Sequence, residues 1–239
     1  MRGGMTPNTI RENLSRIQER IGRAAARAGR REEEITVVGV SKTFPAENIR
    51  EAFAAGVRHF GENRVQEWEA KRGAVENLAA LWHLVGHLQG NKSARAARIF
   101  DCVDSVDDLA VAQRLDAARA EVQGGKPLRV LIEVRLAPEE TKSGVGVTDV
   151  PKLAEKIVEL PRLELAGLMC IPPLGENPEA SRPYFLRLRG LREALARGLG
   201  RELPVLSMGM SHDFETAIEE GATEVRVGTA LFGERTAKG

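Results

Sequence analysis

A chain of 239 residues can bury a large core, and its 35 Lys and Arg against 34 Asp and Glu leave a net charge of +1, so nothing electrostatic points to a nucleic acid or an anionic membrane. The two cysteines, Cys102 and Cys170, each lie in an apolar run with no second cysteine at metal-ligand spacing, which excludes a disulfide scaffold and suits a reduced, intracellular protein. The first residues lack the apolar centre of a signal peptide and no stretch approaches the ~18 apolar residues of a membrane span, so the chain reads as soluble and cytoplasmic.

Ile10, Leu14, Ile17 and Ile21 form one stripe of an N-terminal helix that Gly29 can end. Residues 35–40 (ITVVGV) are short, apolar and β-branched, as in a parallel strand covered on both faces. After Pro45 the spacing of Ile49, Ala52, Phe53 and Gly56 predicts a helix, so Lys42 stands at the carboxyl end of a strand. Further strands are predicted at 57–63, 81–86, 100–104, 128–136, 163–171, 203–209 and 223–228, each separated from the next by a helical pattern. Ser105 with Asp108 three residues later resembles a capping box at the start of one of those helices.

Eight strands alternating with helices predict a (β/α)8 TIM-type barrel with an extra N-terminal helix, and no linker or repeat divides residues 1–239 into more than one domain. The G-x-G-x-x-G turn of an open dinucleotide-binding sheet is missing after the first strand. In a barrel the carboxyl edges of the strands share one mouth. There they place Lys42, Asn63, His87, Asp104, Met169, Ser207 with Gly209, and Gly228 with Thr229. Residues two apart share a face, so if Val40, Gly61, Val205 and Glu224 point inward, Lys42, Asn63, Ser207 and Arg226 converge. The small-residue loops after the last two strands can offer backbone N–H groups to a phosphate. A lysine amine facing such a site has an obvious use, a Schiff base to a phosphorylated aldehyde or ketone. A neighbouring guanidinium and desolvation would both favour the neutral amine that this needs.

The segments "VGVSKTFPAENIREAFAAGVRHFGENRVQE", "WHLVGHLQGNK", "KSGVGV", "LAGLMCIPP", "LSMGMSHDFETAI" and "VRVGTALFGER" together resemble the pyridoxal phosphate homeostasis protein family, whose barrel is similar to the N-terminal domain of alanine racemase. The resemblance spans about residues 10–235. It implies a fold-type III barrel with pyridoxal 5′-phosphate (PLP) as cofactor, held as an aldimine on Lys42. Asn63 and His83 would lie near the cofactor, and Met169 with them. Ser207, the Gly209–Ser211 backbone, Gly228 and Thr229 would hold its phosphate, and Arg226 would face the pyridine nitrogen. Gly90 departs from the family pattern, where serine or another small polar residue is expected.

The function implied is carriage or regulation of free PLP, affecting amino-acid and keto-acid balance, with PLP-dependent apoenzymes as candidate recipients, rather than robust catalysis. Two-base racemisation needs an acid/base group on each face of the cofactor, and alanine racemase takes a tyrosine from a second domain. This chain ends soon after its last predicted strand, and its one tyrosine, Tyr184, falls in an outer helix. A monomer is expected. Two alternatives stay open, a PLP enzyme of racemase or decarboxylase type and a cofactor-free Schiff-base aldolase built on Lys42. Lys142 is a rival Schiff-base lysine whose surroundings read as a solvated flap. His59 and His83 read as hydrogen-bonded wall residues, His87 and His212 as surface residues of the mouth. Cys102, placed near the mouth, is expected to be buried and inert. No His and carboxylate spacing suggests a metal site.

Overall fold

The computed structural model describes residues 9–122, 125–137 and 143–234. Its strands are β1 (Thr36–Val40), β2 (His59–Glu62), β3 (Leu81–Leu84), β4 (Cys102–Val106), β5 (Leu128–Arg135), β6 (Val145–Gly146), β7 (Leu163–Met169), β8 (Val205–Met210) and β9 (Glu224–Val227). All pair in parallel in the order β4-β3-β2-β1-β9-β8-β7-β5, and β5 pairs back onto β4. This closes the eight-stranded barrel that the alternating pattern predicts, while the two-residue β6 attaches outside it along β5. Helices α1 (Ile10–Arg27), α2 (Ala46–Ala55), α3 (Val65–Lys71), α4 (Ser93–Ile99), α5 (Leu109–Arg119), α6 (Val150–Val158), α7 (Arg182–Leu199), α8 (Phe214–Glu219) and α9 (Thr229–Phe232) surround the strands. None of the described helices is long and apolar enough to cross a membrane.

The extra helix α1 begins with a reciprocal cap: the Glu12 N–H donates to Thr9 Oγ1 at 3.2 Å and the Thr9 N–H to Glu12 Oε2 at 2.9 Å. Its buried stripe of Ile10, Leu14, Ile17 and Ile21 is the predicted one. Asn13 donates to the Leu231 carbonyl at 3.0 Å, and Arg30, just beyond the helix, reaches the Ile218 and Ala222 carbonyls at 3.0 and 2.8 Å. The N-terminal helix therefore ties the last two βα units to the first strand.

The main apolar core lies between the strands and the helices. Trp68 stacks on Trp82 with ring centroids 4.0 Å apart, Trp82 on Phe60 at 5.2 Å, and the buried Trp68 N–H donates to the Ile99 carbonyl at 2.9 Å. Each such ring contributes about 1.5–3 kcal/mol by leaving water. Inside the barrel a separate small apolar cluster, Leu131, Ala166, Met169 and Val205, shares the space with Val38, Val85 and buried polar side chains such as His83, Asp104 and Arg226.

The boundaries differ from the predicted ones at β4, which starts and ends two residues later than expected. Ser105 is a strand residue whose hydroxyl donates to the Gly86 carbonyl at 2.7 Å, and the cap of α5 is Asp108 alone, accepting from the Ala110 and Val111 N–H groups. The shift also moves Cys102 away from the mouth, to the first position of its strand, where it is buried.

Candidate functional site

Lys42 follows β1 in a tight turn. The Ser41 N–H continues the ladder to the Gly61 carbonyl at 2.9 Å, the Phe44 N–H closes the turn onto Ser41 O at 3.1 Å, and Thr43 takes a φ of 67°. A β-branched residue in the left-handed region is strained. The turn is held from below by Lys71 on α3, whose Nζ donates to the Ser41 carbonyl at 2.8 Å and the Phe44 carbonyl at 3.4 Å. The same ammonium stands 2.6 Å from Glu62 Oε1, which also accepts from the Ser41 hydroxyl at 2.6 Å. Glu62 is fully buried; burial raises its pKa, partly offset by Lys71 and Ser41. Thr43→Gly is expected to gain about 0.5–1 kcal/mol by removing the left-handed penalty, less the entropy of a freer unfolded chain. Thermal unfolding reads this as a midpoint raised by about 1–4 °C, and a lowered midpoint would show that the turn is not strained.

On β9, the strand paired with β1, Arg226 is buried and doubly anchored. Its Nη1 donates to Ser207 Oγ at 2.8 Å and its Nη2 to the Cys170 carbonyl at 2.7 Å. Ser207 has no exposed surface, so its hydroxyl serves the guanidinium. Gly209, at φ 91°, lets β8 turn against α8, where any Cβ would stand 2.9 Å from Phe214 Cα. The Ser211 hydroxyl accepts from the Ala230 N–H at 3.2 Å, drawing the loops after β8 and β9 together. The Gly228 and Thr229 N–H groups make no hydrogen bond among the described residues, and Gly228 is not crowded, the nearest atom to an added Cβ being Val40 O at 3.6 Å. Met169 packs within the barrel against Leu131, Ala166 and Val205.

Lys42, Asn63, Ser207 and Arg226 come from four strands that are consecutive in the barrel, β2-β1-β9-β8, and the Arg226–Ser207 contact is direct. Gly61 faces inward, since a Cβ there would meet Val38 and Val85, and this supports the predicted alternation on β2. Lys142 lies outside the described residues. At Gly90 the Arg114 guanidinium lies against the space that a serine side chain would take.

Three groups escaped the sequence reading. Glu133, buried on β5, accepts from the Ser143 hydroxyl at 2.9 Å while its Oε2 has no partner among the described residues; burial raises its pKa. The Glu62–Lys71 pair links a strand end to the following helix. Toward the amino-terminal end of the barrel, His83 joins His59 (3.0 Å, Nε2 to Nδ1) and Asp104 (3.1 Å, Nδ1 to Oδ2), with Glu224 and Arg129 paired nearby at 3.5 Å. The ligand atoms of His83, Asp104 and Glu224 lie within 4.8 Å of one another, a juxtaposition that the linear spacing hides. Burial lowers the His59 pKa to about 4, helped by the charge of His83. Burial alone would lower His83 too, but the charge and hydrogen bond of Asp104 hold it well above the usual imidazole value. Burial raises the thiol of Cys102, as expected of an inert cysteine, and that of Cys170 to about 12.

The family model described as "Alanine racemase, N-terminal domain" matches residues 8–236. A pyridoxal phosphate homeostasis protein of Aquifex aeolicus is 48% identical over 94% of this chain and 97% of its own length. The chain belongs to the pyridoxal phosphate homeostasis protein family. Members from Pseudomonas aeruginosa and Escherichia coli K12 are 46% and 43% identical, each over 95% of this chain and at least 96% of their own. Among solved structures, PipY of Synechococcus elongatus with PLP bound superposes with a TM-score of 0.83 at 37% identity, covering 94% of this chain and 100% of PipY. D-threonine aldolase of Filomicrobium marinum, at 16% identity and a TM-score of 0.72 over 96% of this chain and 63% of its own, shares the fold.

Proposed function

We propose that this protein binds PLP at the barrel mouth and acts in PLP homeostasis, as a single-domain, monomeric, cytoplasmic carrier or regulator that supplies PLP-dependent apoenzymes. The reading rests on one arrangement above all: the Lys42 amine on a braced turn, next to the strand that carries a buried, doubly anchored Arg226. The residues fit the group. Lys42 would bond its aldehyde, the Gly228 and Thr229 amides, unengaged among the described residues, would receive its phosphate, and Arg226 would approach the pyridine nitrogen, with Asn63, Met169, Ser207 and Gly209 around them, while His83 is taken up by His59 and Asp104. When bound, PLP supplies a reversible carbonyl and, in enzymes, an electron sink.

The chain's own residues favour carriage over turnover. An arginine keeps its protons, so Arg226 would donate a hydrogen bond without protonating the ring, which weakens the sink. Tyr184 lies in the first turn of α7, partly buried against the core between strands and helices. Glu133, a buried carboxyl of raised pKa at the end of β5, is the feature that favours the enzymatic alternative. Amino-acid-driven spectral change with product formation would establish that alternative.

The test is the visible spectrum of the purified protein, then borohydride reduction and peptide mapping. The expected result is a yellow protein with a pyridoxyl adduct on the Lys42 peptide. Lys42→Ala should lose the adduct entirely and keep weak noncovalent binding, while Arg226→Ala should shift the spectrum and retain the adduct. A protein that stays colourless and unmodified after incubation with PLP would reject the reading and favour a cofactor-free aldolase.

A further inference from the structure

His87, Leu88, Gln89 and Lys92 of the segment "HLQGNK", residues 87–92, line a cavity of about 590 Å³ between the loops after β2 and β3. Asn63, Arg64 and Gln66 form the facing wall, with His87, Gln89 and Lys92 opposite. Gly86 lets the two loops meet: a Cβ there would stand 2.8 Å from Asn63 Cα and press on its carbonyl. The cavity therefore abuts Asn63, at the rim of the mouth.

Its polar groups are poised for something outside the chain. The side-chain amides of Asn63, Gln66 and Gln89 and the Lys92 ammonium make no hydrogen bond or ion pair among the described residues. Arg64 is loosely paired with Glu67 at 3.8 Å, and His87 turns Nδ1 to Asp107 at 3.5 Å. Counting Arg64 and Lys92 against Glu67, the lining carries an excess positive charge, and a cleft of one sign concentrates the opposite one. The volume falls within the roughly 300–1,000 Å³ of small-molecule sites. The Lys92 ammonium and the Arg64 guanidinium are donor-only groups, which select an acceptor-rich ligand, and the side-chain amides can turn an N–H toward it.

We propose that this groove binds a small organic oxyanion, a carboxylate or a phosphate monoester, beside the cofactor mouth. A ligand seated there touches Asn63 and so reports to the cofactor whether that metabolite is present. This last coupling rests on the function proposed above; binding in the groove does not.

Titration calorimetry of the PLP-loaded full chain with succinate and with inorganic phosphate tests it. At least one anion should bind with one-to-one stoichiometry, and Lys92→Gln should weaken it by about tenfold or more, the size expected for a hydrogen bond to a charged group. Gln89→Ala should weaken it less, and saturation should shift the visible absorbance of wild type. Succinate alone binding identifies a carboxylate ligand; phosphate alone identifies a phosphate monoester. Binding of neither overturns the proposal. So does phosphate binding indifferent to Lys92→Gln, which would place the ion at the cofactor's own phosphate loops. A colourless protein would defeat the cofactor reading, yet calorimetry on it still reads the groove, so the two failures are separable.

Discussion

Lys71→Met is expected to destabilise the protein by about 3 kcal/mol at neutral pH, the size typical when one partner of a buried ion pair is removed. For a chain of this length that is a fall of about 6–12 °C in midpoint. The loss follows from Glu62, which has no exposed surface and already leaves Oε2 without a partner. Without the ammonium, its carboxyl keeps only the Ser41 hydroxyl. The pH dependence gives the cause away. Burial holds the folded-state pKa of Glu62 above its unfolded value, and losing Lys71 raises it further. A raised carboxyl contributes stability that is fully present below the unfolded pKa and lost as pH rises through the folded one. The deficit of Lys71→Met should therefore be small in acid and grow toward neutrality. Glu62→Gln/Lys71→Met, which leaves no buried charge, should recover part of it in denaturant unfolding. A single variant as stable as wild type at pH 7 would show that the pair does not brace the Lys42 turn.

The second large effect is expected of Asp104→Ala, which strips His83 of its anion in a site with 1% exposure. About 2–3 kcal/mol should be lost near pH 6, where the buried charge-assisted bond is intact in wild type. In wild type the raised His83 contributes stability that is complete below its unfolded pKa of about 6.5 and disappears as pH rises through the folded value. His59 acts oppositely: its pKa of about 4 means stability present above ~6.5 and lost as pH falls toward 4. Glu224, Arg129 and Cys102 face the same cluster and remain in the variant. In Asp104→Ala only the pull of burial acts strongly on His83, so the wild-type decline on the alkaline side of ~6.5 should vanish. Urea midpoints measured between pH 5 and 9 would decide the matter; an unchanged alkaline limb would disprove the His83–Asp104 linkage.

The barrel was legible because parallel strands buried on both faces leave runs such as 35–40 and 128–136 that no exposed element matches. Arg226 was legible through alternation along its strand. The end of β4 was not, because Asp104 and Ser105 are polar residues that the fold buries, and a reading by hydropathy stops where they begin. Lys71 was invisible for another reason: its meaning lies in a contact with a strand nine residues back and a turn thirty residues back, at a helix end where a lysine is ordinarily solvated. The His59–His83–Asp104 chain likewise exists only once three strands stand side by side.

The pairing of β5 back onto β4 leaves the eight barrel strands with no free backbone edge. Recognition by strand addition, the usual way in which one chain grips another through its sheet, is closed to them. Any macromolecule that collects a ligand from the mouth must come down along the barrel axis onto the loops, among which Leu174 and Ile171 stand exposed. A macromolecule that took ligand from this scaffold would dock end-on, with its specificity in loop side chains rather than in backbone pairing.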